Sequence, residues 1–213
     1  MEILNLKKQG VTACVREAIK KLRAGGVILY PTDTLYGLGA DALSDEAVGK
    51  IYEIKGRDKK KPIHAIITDI KMMEKYAEVS DLARTLAKEL LPGPLTLILK
   101  KKVGIKTGIA KGRSKIGFRI PDNQFCLALA KKFGKPLTTT SANKSGSKTE
   151  RTVKAILKQL GSAKERISLV IDAGKLPDQL PSTVVDMTGN EPIILREGAI
   201  PVADIWNAIR VEM

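Results

Sequence analysis

Histidine occurs once in this chain, at His64, and cysteine twice, at Cys14 and Cys126. One imidazole and two scattered thiols do not assemble a four-ligand zinc site, and no Cys-x-x-Cys spacing is present. Nor is there a spacing that supports Ser-His-Asp or Cys-His nucleophilic catalysis. His64 lies within the strand pattern "IHAIIT", which favours a structural role. The two cysteines read as reduced thiols of a cytoplasmic protein. Aromatic residues make up 4% of the chain, too few for the stacking platforms that bind single-stranded RNA. No apolar run approaches the roughly 20 residues of a membrane helix, and "MEILNLKKQG" lacks the charged-then-apolar layout of an export signal. No membrane partner is therefore expected. The Gly-x-x-x-x-Gly-Lys-Ser/Thr loop is missing too, which excludes the ordinary phosphate loop. "GLGADA" (Gly37 to Ala42) matches Gly-x-Gly-x-x-Ala, but Pro31 to Tyr36 separate it from the preceding strand and the next helix begins only near Ser44. A dinucleotide fingerprint does not fit that context.

Positive charge is what the chain has in excess. Lys and Arg number 37 against 23 acids, for a net charge of +14 and a pI near 9.8. The partners this implies are nucleic acid, nucleotide phosphates, or both, with a solvated lysine surface as the plain alternative. At 213 residues, 43% of them hydrophobic, the chain can bury one substantial core. Apolar spacing predicts helices from Thr12, as N-cap, through Leu22, from Ser44 to about Ile54, and beginning at Asp69 and Ser80. Three more are predicted at Gln124 to Phe133, Val153 to Leu160 and Val202 to Ile209. Strands are predicted at "VILY", Ile63 to Thr68, "LTLILK", Ile116 to Ile120, Pro136 to Thr140, "SLVID", "STVVD" and "PIILR". Strands and helices interleave without strict alternation. That pattern predicts a single α/β domain over residues 1–213, with its core at about 13–209 and helices packed on a twisted mixed sheet.

Four polar or basic clusters sit beside these strands. "YPTDT" ends one strand in small hydroxyls. "KGRDKKKP" places five cations between Lys55 and Lys61 at a helix end, more than the helix dipole calls for. There Arg57 offers a fork for phosphate and the lysines add compact charge. "PLTTTSANKSG" presents Thr139, Ser141 and Asn143, suited to phosphate or carboxylate oxygens. "RSKIGFRIPD" and "PSTVVD…ILREGAI" add Lys115, Arg119, Ser182 and Arg196. An arginine inside an apolar strand is rarely buried without a partner.

With "PGPLTLIL" between them, these motifs resemble the YrdC-like family of threonylcarbamoyl-AMP synthases, in order and from about Ala13 to Ile209. The resemblance implies a twisted α/β fold with a large basic cavity. It implies the reaction of L-threonine, bicarbonate and ATP to threonylcarbamoyl-AMP and pyrophosphate, followed by a separate transferase that modifies tRNA. Thr34, Arg119, Thr139 and Ser182 would meet threonine. Arg57, Lys61, Lys115, Ser141, Asn143, Thr149 and Arg196 would meet ATP, with Lys55 and Arg57 in catalytic positions. Magnesium is expected on the triphosphate, held mainly by substrate oxygens. Asp33 stands where the family commonly has Glu, and Asp58 follows Arg57 where it often has Pro. The chain resembles the short, single-domain form. Contact with tRNA or double-stranded RNA is a further expectation, and two alternatives remain open: an RNA-binding module that uses a basic concavity on double-stranded or structured RNA, and a related carbamoyl-transfer enzyme with another acceptor.

Overall fold

The computed structural model describes residues 1–210, so the last three positions of the expected domain lie outside the described residues. The chain forms one α/β domain around a mixed sheet of ten strands. In sequence order they are β1 (Glu2–Asn5), β2 (Val27–Pro31), β3 (Tyr36–Gly39), β4 (His64–Ile66), β5 (Leu95–Lys100), β6 (Lys115–Arg119), β7 (Leu137–Ser141), β8 (Ile167–Asp172), β9 (Thr183–Asp186) and β10 (Ile193–Arg196). Their spatial order is β1-β8-β2-β3-β7-β4-β6-β5-β9-β10. The helices are α1 (Leu6–Arg23), α2 (Asp45–Lys55), α3 (Ile70–Tyr76), α4 (Asp81–Leu90), α5 (Gln124–Phe133), α6 (Val153–Leu160) and α7 (Val202–Arg210).

Period-two alternation assigns the sheet residues to two cores. On β2, Val27 and Leu29 join the larger core with α2, α4, α6 and α7. Ile28 and Tyr30 point the other way, into a core with α1 and α5 that also holds Cys14 and Cys126. Both cysteines are buried and unpaired, and burial raises the pKa of each. Five helices start at side chains that accept an N–H of the first turn: Ser44, Asp69, Ser80, Asn123 and Thr152.

The first helix differs from the sequence expectation. Asn5, not Thr12, caps it, its Oδ1 accepting from Lys8 N at 3.0 Å. Gly10, at φ 77° and ψ 161°, then breaks it near the position where the sequence places its start. Strands β1 and β3 are also additions. β1 runs only four residues, against β8 at the sheet edge, and local pattern is weak at that length.

β3 is "YGLG", and its glycines have a packing cause. Tyr30 on β2 pairs with Gly37, and its ring lies across the β3 backbone. A Cβ at Gly37 would stand 3.5 Å from that ring, and one at Gly39 only 2.7 Å from it. Tyr30 is fully buried, and its hydroxyl donates to Thr138 O at 3.1 Å. "YPTDTLYG" is thus a hairpin whose second strand needs bare backbone. Gly39→Ala should destabilise the fold by about 1–3 kcal/mol through overpacking against Tyr30. A Tyr30→Phe background would leave the ring, and hence the cost, in place; urea titration of both variants checks this.

Candidate active site

β7 joins the two halves of the sheet, pairing with β3 on one side and β4 on the other. Leu137 and Ile66 are register partners within the core of α1 and α5. Two residues further along the same face stand Thr139 and His64, and there the core gives way to a cavity of about 270 Å3. Its walls take Thr32 and Thr34 from the β2–β3 turn, Thr139, Thr140 and Ser141 from β7, and Thr149 from the loop beyond. Arg57, His64, Thr96, Arg119, Ser182 and Arg196 complete the polar lining. None of the described residues lining it is a carboxylate.

Arg119 is the best-held cation. It is 5% exposed, and its Nη2 forms an ion pair with Asp33 Oδ1. Nη1 donates to Thr34 Oγ1 at 2.9 Å and Nε to Gly93 O at 3.3 Å. Guanidinium has five N–H groups, so one remains on each terminal nitrogen. Asp33 Oδ2 in turn accepts from Asp122 N at 3.1 Å. Within the turn, Thr32 Oγ1 accepts from Thr34 N and Leu35 N, both at 3.2 Å, and lies 3.2 Å from Thr34 Oγ1. The Pro-Thr-Asp-Thr stretch is therefore the cradle of an arginine that follows it by some 85 positions.

The other two arginines come from loops and edges. Gly56, left-handed at φ 54°, ends α2 and turns the chain into the basic loop. Arg57 Nη2 donates to Pro62 O at 3.1 Å, while its Nε is buried without a partner among the described residues. A register shift between Ile194 and Arg196 interrupts the β9–β10 ladder, and such a bulge re-aims the side chain that follows. Arg196 donates through Nε and Nη2 to Ser182 O at 3.1 and 2.7 Å. Ser182 Oγ also lies 2.9 Å from Thr96 Oγ1.

Four of the expected site residues do not line the cavity. Lys55 is 2% exposed, with its ammonium on Ser141 O, Asn143 O and Asn143 Oδ1, the last two at 2.9 and 3.0 Å. Burial, then the charge of Arg57, lowers its pKa to about 7. Asn143 is occupied with Lys55 and with Ser141 Oγ at 2.6 Å. These contacts fix the chain just beyond β7. Lys115 pairs with Asp186 at 2.8 Å. Lys61 is exposed in the basic loop, to which Arg113 is tied by donating to Lys59 O and Lys60 O at 2.7 and 3.1 Å.

The lining also holds residues that the sequence reading left out. Thr96 interrupts the apolar run "LTLILK", a visible signal for a buried hydroxyl. Thr32 and Tyr36 flank the turn. His64 reads as structural in sequence yet stands half-buried in the cavity wall.

Residues 20–198 match the Sua5_yciO_yrdC family, described as telomere recombination. The chain belongs to this family. A Methanocaldococcus jannaschii protein is 43% identical over 183 residues, 86% of this chain and 84% of its own length. The threonylcarbamoyl-AMP synthase of Bos taurus is 36% identical over 190 residues, covering 86% of this chain and 67% of that protein. The structure of Pyrococcus abyssi Sua5 complexed with L-threonine superposes with a TM-score of 0.88 at 32% identity, over 98% of this chain and 61% of that one. No helix among the described residues of this Sua5/YciO/YrdC protein is long and apolar enough to cross a membrane.

Burial, then the charges of Arg196, Arg57 and Arg113, push the His64 pKa down to about 4. As pH falls below about 6.5 the unfolded chain takes up a proton that the folded chain refuses until about pH 4. The fold therefore loses stability across that window. Melting curves should fall more steeply for wild type than for His64→Gln between these limits. Parallel curves would mean that the imidazole is not held neutral.

Proposed function

We propose that this protein is a threonylcarbamoyl-AMP synthase: L-threonine, bicarbonate and ATP give threonylcarbamoyl-AMP and pyrophosphate. The observation that carries the reading is a single cavity in which three arginines and a belt of hydroxyls converge with no carboxylate in the described lining. Such a lining suits anionic substrates. The family relatives named for this activity support the reaction, and the P. abyssi relative's complex supports threonine as a substrate.

The chemistry asks little of the protein as a nucleophile. The threonine amine and bicarbonate yield a carbamate and water, and a carbamate oxygen attacks the α-phosphorus of ATP as pyrophosphate leaves. Gathering the reactants in line contributes up to about 7–11 kcal/mol of the barrier. In this reading the two remaining N–H groups of Arg119 take the threonine carboxylate, with Thr34, Thr139 and Ser182 around the substrate. Because Asp33 already balances the Arg119 charge, recognition there depends on directed N–H groups more than on net attraction. Arg57 and Arg196 keep their charge for the phosphates, with Ser141 and Thr149 beside them. Arg57 Nε is buried, so the guanidinium meets substrate through its terminal nitrogens. Lys55 and Asn143 act through the Ser141 segment they hold, while Lys61 and Lys115 contribute at the rim.

Among the described residues no three His, Cys, Asp or Glu side chains converge as a metal site. The hydroxyl-and-arginine lining does not fit a protein-held metal, so magnesium belongs to the substrate, on the triphosphate oxygens. The product passes to a separate transferase acting on tRNA in the cytoplasm. The tied loops of Lys59 to Lys61 and Arg113 offer tRNA or double-stranded RNA a basic edge.

Purified protein with ATP, magnesium, bicarbonate and labelled threonine should yield a threonine-dependent AMP adduct and pyrophosphate. Arg57→Ala should lower that yield by about 100-fold or more with unchanged melting. Product that forms without bicarbonate, or full activity in Arg57→Ala, overturns the reading. Arg119→Ala is a poorer test because it removes the ion-pair partner of the partly buried Asp33 carboxylate and so lowers stability as well.

A further inference from the structure

The proposed reaction gives no task to His64, which lines the cavity. His64 opens β4 opposite Thr139, and Gly117 lies beside it on β6. A Cβ at position 117 would stand 2.7 Å from imidazole Cδ2 and 2.9 Å from Cγ. The ring is thus laid over the backbone of β6, in space that only glycine leaves open. No described residue hydrogen-bonds to its nitrogens, and the half-buried residue lines the cavity. The charged groups acting on it are Arg57 from the loop after α2, Arg196 from β10 and Arg113 from the loop before β6. All three are cations.

Three ordinary roles fit poorly. Filling the gap over Gly117 would be served as well by leucine, without leaving polar atoms exposed to the cavity. Among the described residues no group of three His, Cys, Asp or Glu side chains gathers at this imidazole to hold a metal. A base surrounded by guanidinium groups is too weak to take the proton of the threonine ammonium group. What remains for a neutral imidazole is to donate a directed N–H, the role a histidine plays when neighbouring positive charge keeps it uncharged.

We infer that His64 is a substrate-contacting residue, its neutral imidazole donating an N–H to an anionic oxygen held between Arg57 and Arg196. This deepens, and rests on, the functional reading above. Two oxygens of that class take part in the reaction: those of the ATP phosphates and those of the carbamate made from bicarbonate. A neutral donor grips either one without adding a fourth cation to a cavity that already holds three guanidinium groups. Burial, with the charges of Arg196, Arg57 and Arg113, keeps the imidazole uncharged.

Because His64 is the only histidine, tag-free protein labelled with 15N in the imidazole gives one pair of ring signals, with no assignment needed. A non-hydrolysable ATP analogue with magnesium is added alone, and threonine with bicarbonate is added to a second sample. A ring shift with the analogue assigns the contact to phosphate, and a shift only with threonine and bicarbonate assigns it to the carbamate. Calorimetry on the same samples separates two failures. Ligand bound without a ring shift overturns the role of His64 alone, whereas no binding of any substrate removes the functional reading and this inference together.

Variants supply an independent check. His64→Gln keeps an N–H donor, and His64→Leu keeps bulk without one. Loss of a hydrogen bond to a charged oxygen predicts a fall of about tenfold to a hundredfold in kcat/KM for His64→Leu. His64→Gln should stay within about fivefold of wild type on the same scale. Equal losses in both variants with native melting would reduce His64 to a packing role and overturn the inference, as would unchanged kinetics in His64→Leu. Should His64→Leu fail to fold, the ring signals of the wild type decide the question.

Discussion

A guanidinium withdrawn from water must have its charge balanced and its N–H groups oriented, and Arg119 imposes that requirement on its surroundings. The carboxylate of Asp33, the hydroxyl of Thr34 and the carbonyl of Gly93 come from two loops far apart in sequence. Their convergence on one side chain shapes the cavity floor. The hairpin turn between β2 and β3 is held by Thr32 Oγ1, which accepts from the N–H groups of Thr34 and Leu35. Asp33 then ties the following loop through Asp122 N. Removing any one of these groups would leave a buried charge or donor unmatched, so the site and the local fold share the same contacts.

Around that floor the charges divide by environment. Arg119 is matched inside the protein, whereas Arg57 and Arg196 hold mainly to backbone carbonyls and keep their charge for something else. Lys55 is buried beneath the chain that leaves β7 and spends its N–H groups on Ser141 and Asn143. A cavity built this way suits several anionic reactants brought together and needs no nucleophile of its own. The small residues follow from the same geometry. Gly37 and Gly39 admit the ring of Tyr30, and Gly117 admits the ring of His64, so apparent motif glycines turn out to be packing devices.

Sequence pattern located most of the helices and strands because their lengths and caps are local properties. Ser44, Asp69, Ser80, Asn123 and Thr152 each accept an N–H three residues on, and such short-range contacts are legible in a string of letters. β1 and β3 were not legible, because a four-residue strand is made by its neighbours and not by its own composition. Each of the four basic and hydroxyl clusters contributes residues to the cavity lining. Within them Arg57, Arg119, Thr139 and Ser182 reach the cavity, whereas Lys55, Lys61, Lys115 and Asn143 do not line it. Spacing cannot distinguish a lysine that faces a cavity from one whose ammonium is taken up by carbonyls of another loop.

The sequence by itself determined the class of fold and the excess of positive charge, and it carries no spacing that supports zinc or serine-type catalysis. Each of these depends on composition or on contacts within a few residues. Only the tertiary structure decided that Asp33 serves Arg119, that Lys55 braces the end of β7 and that His64 faces a cavity in the company of cations. Those outcomes depend on which strands become neighbours. The order of β7, β4 and β6 in the sheet brings Thr139, His64 and Gly117 into one row although 75 positions separate His64 from Thr139. Side-chain roles of that kind come from long-range pairing, which no local pattern encodes.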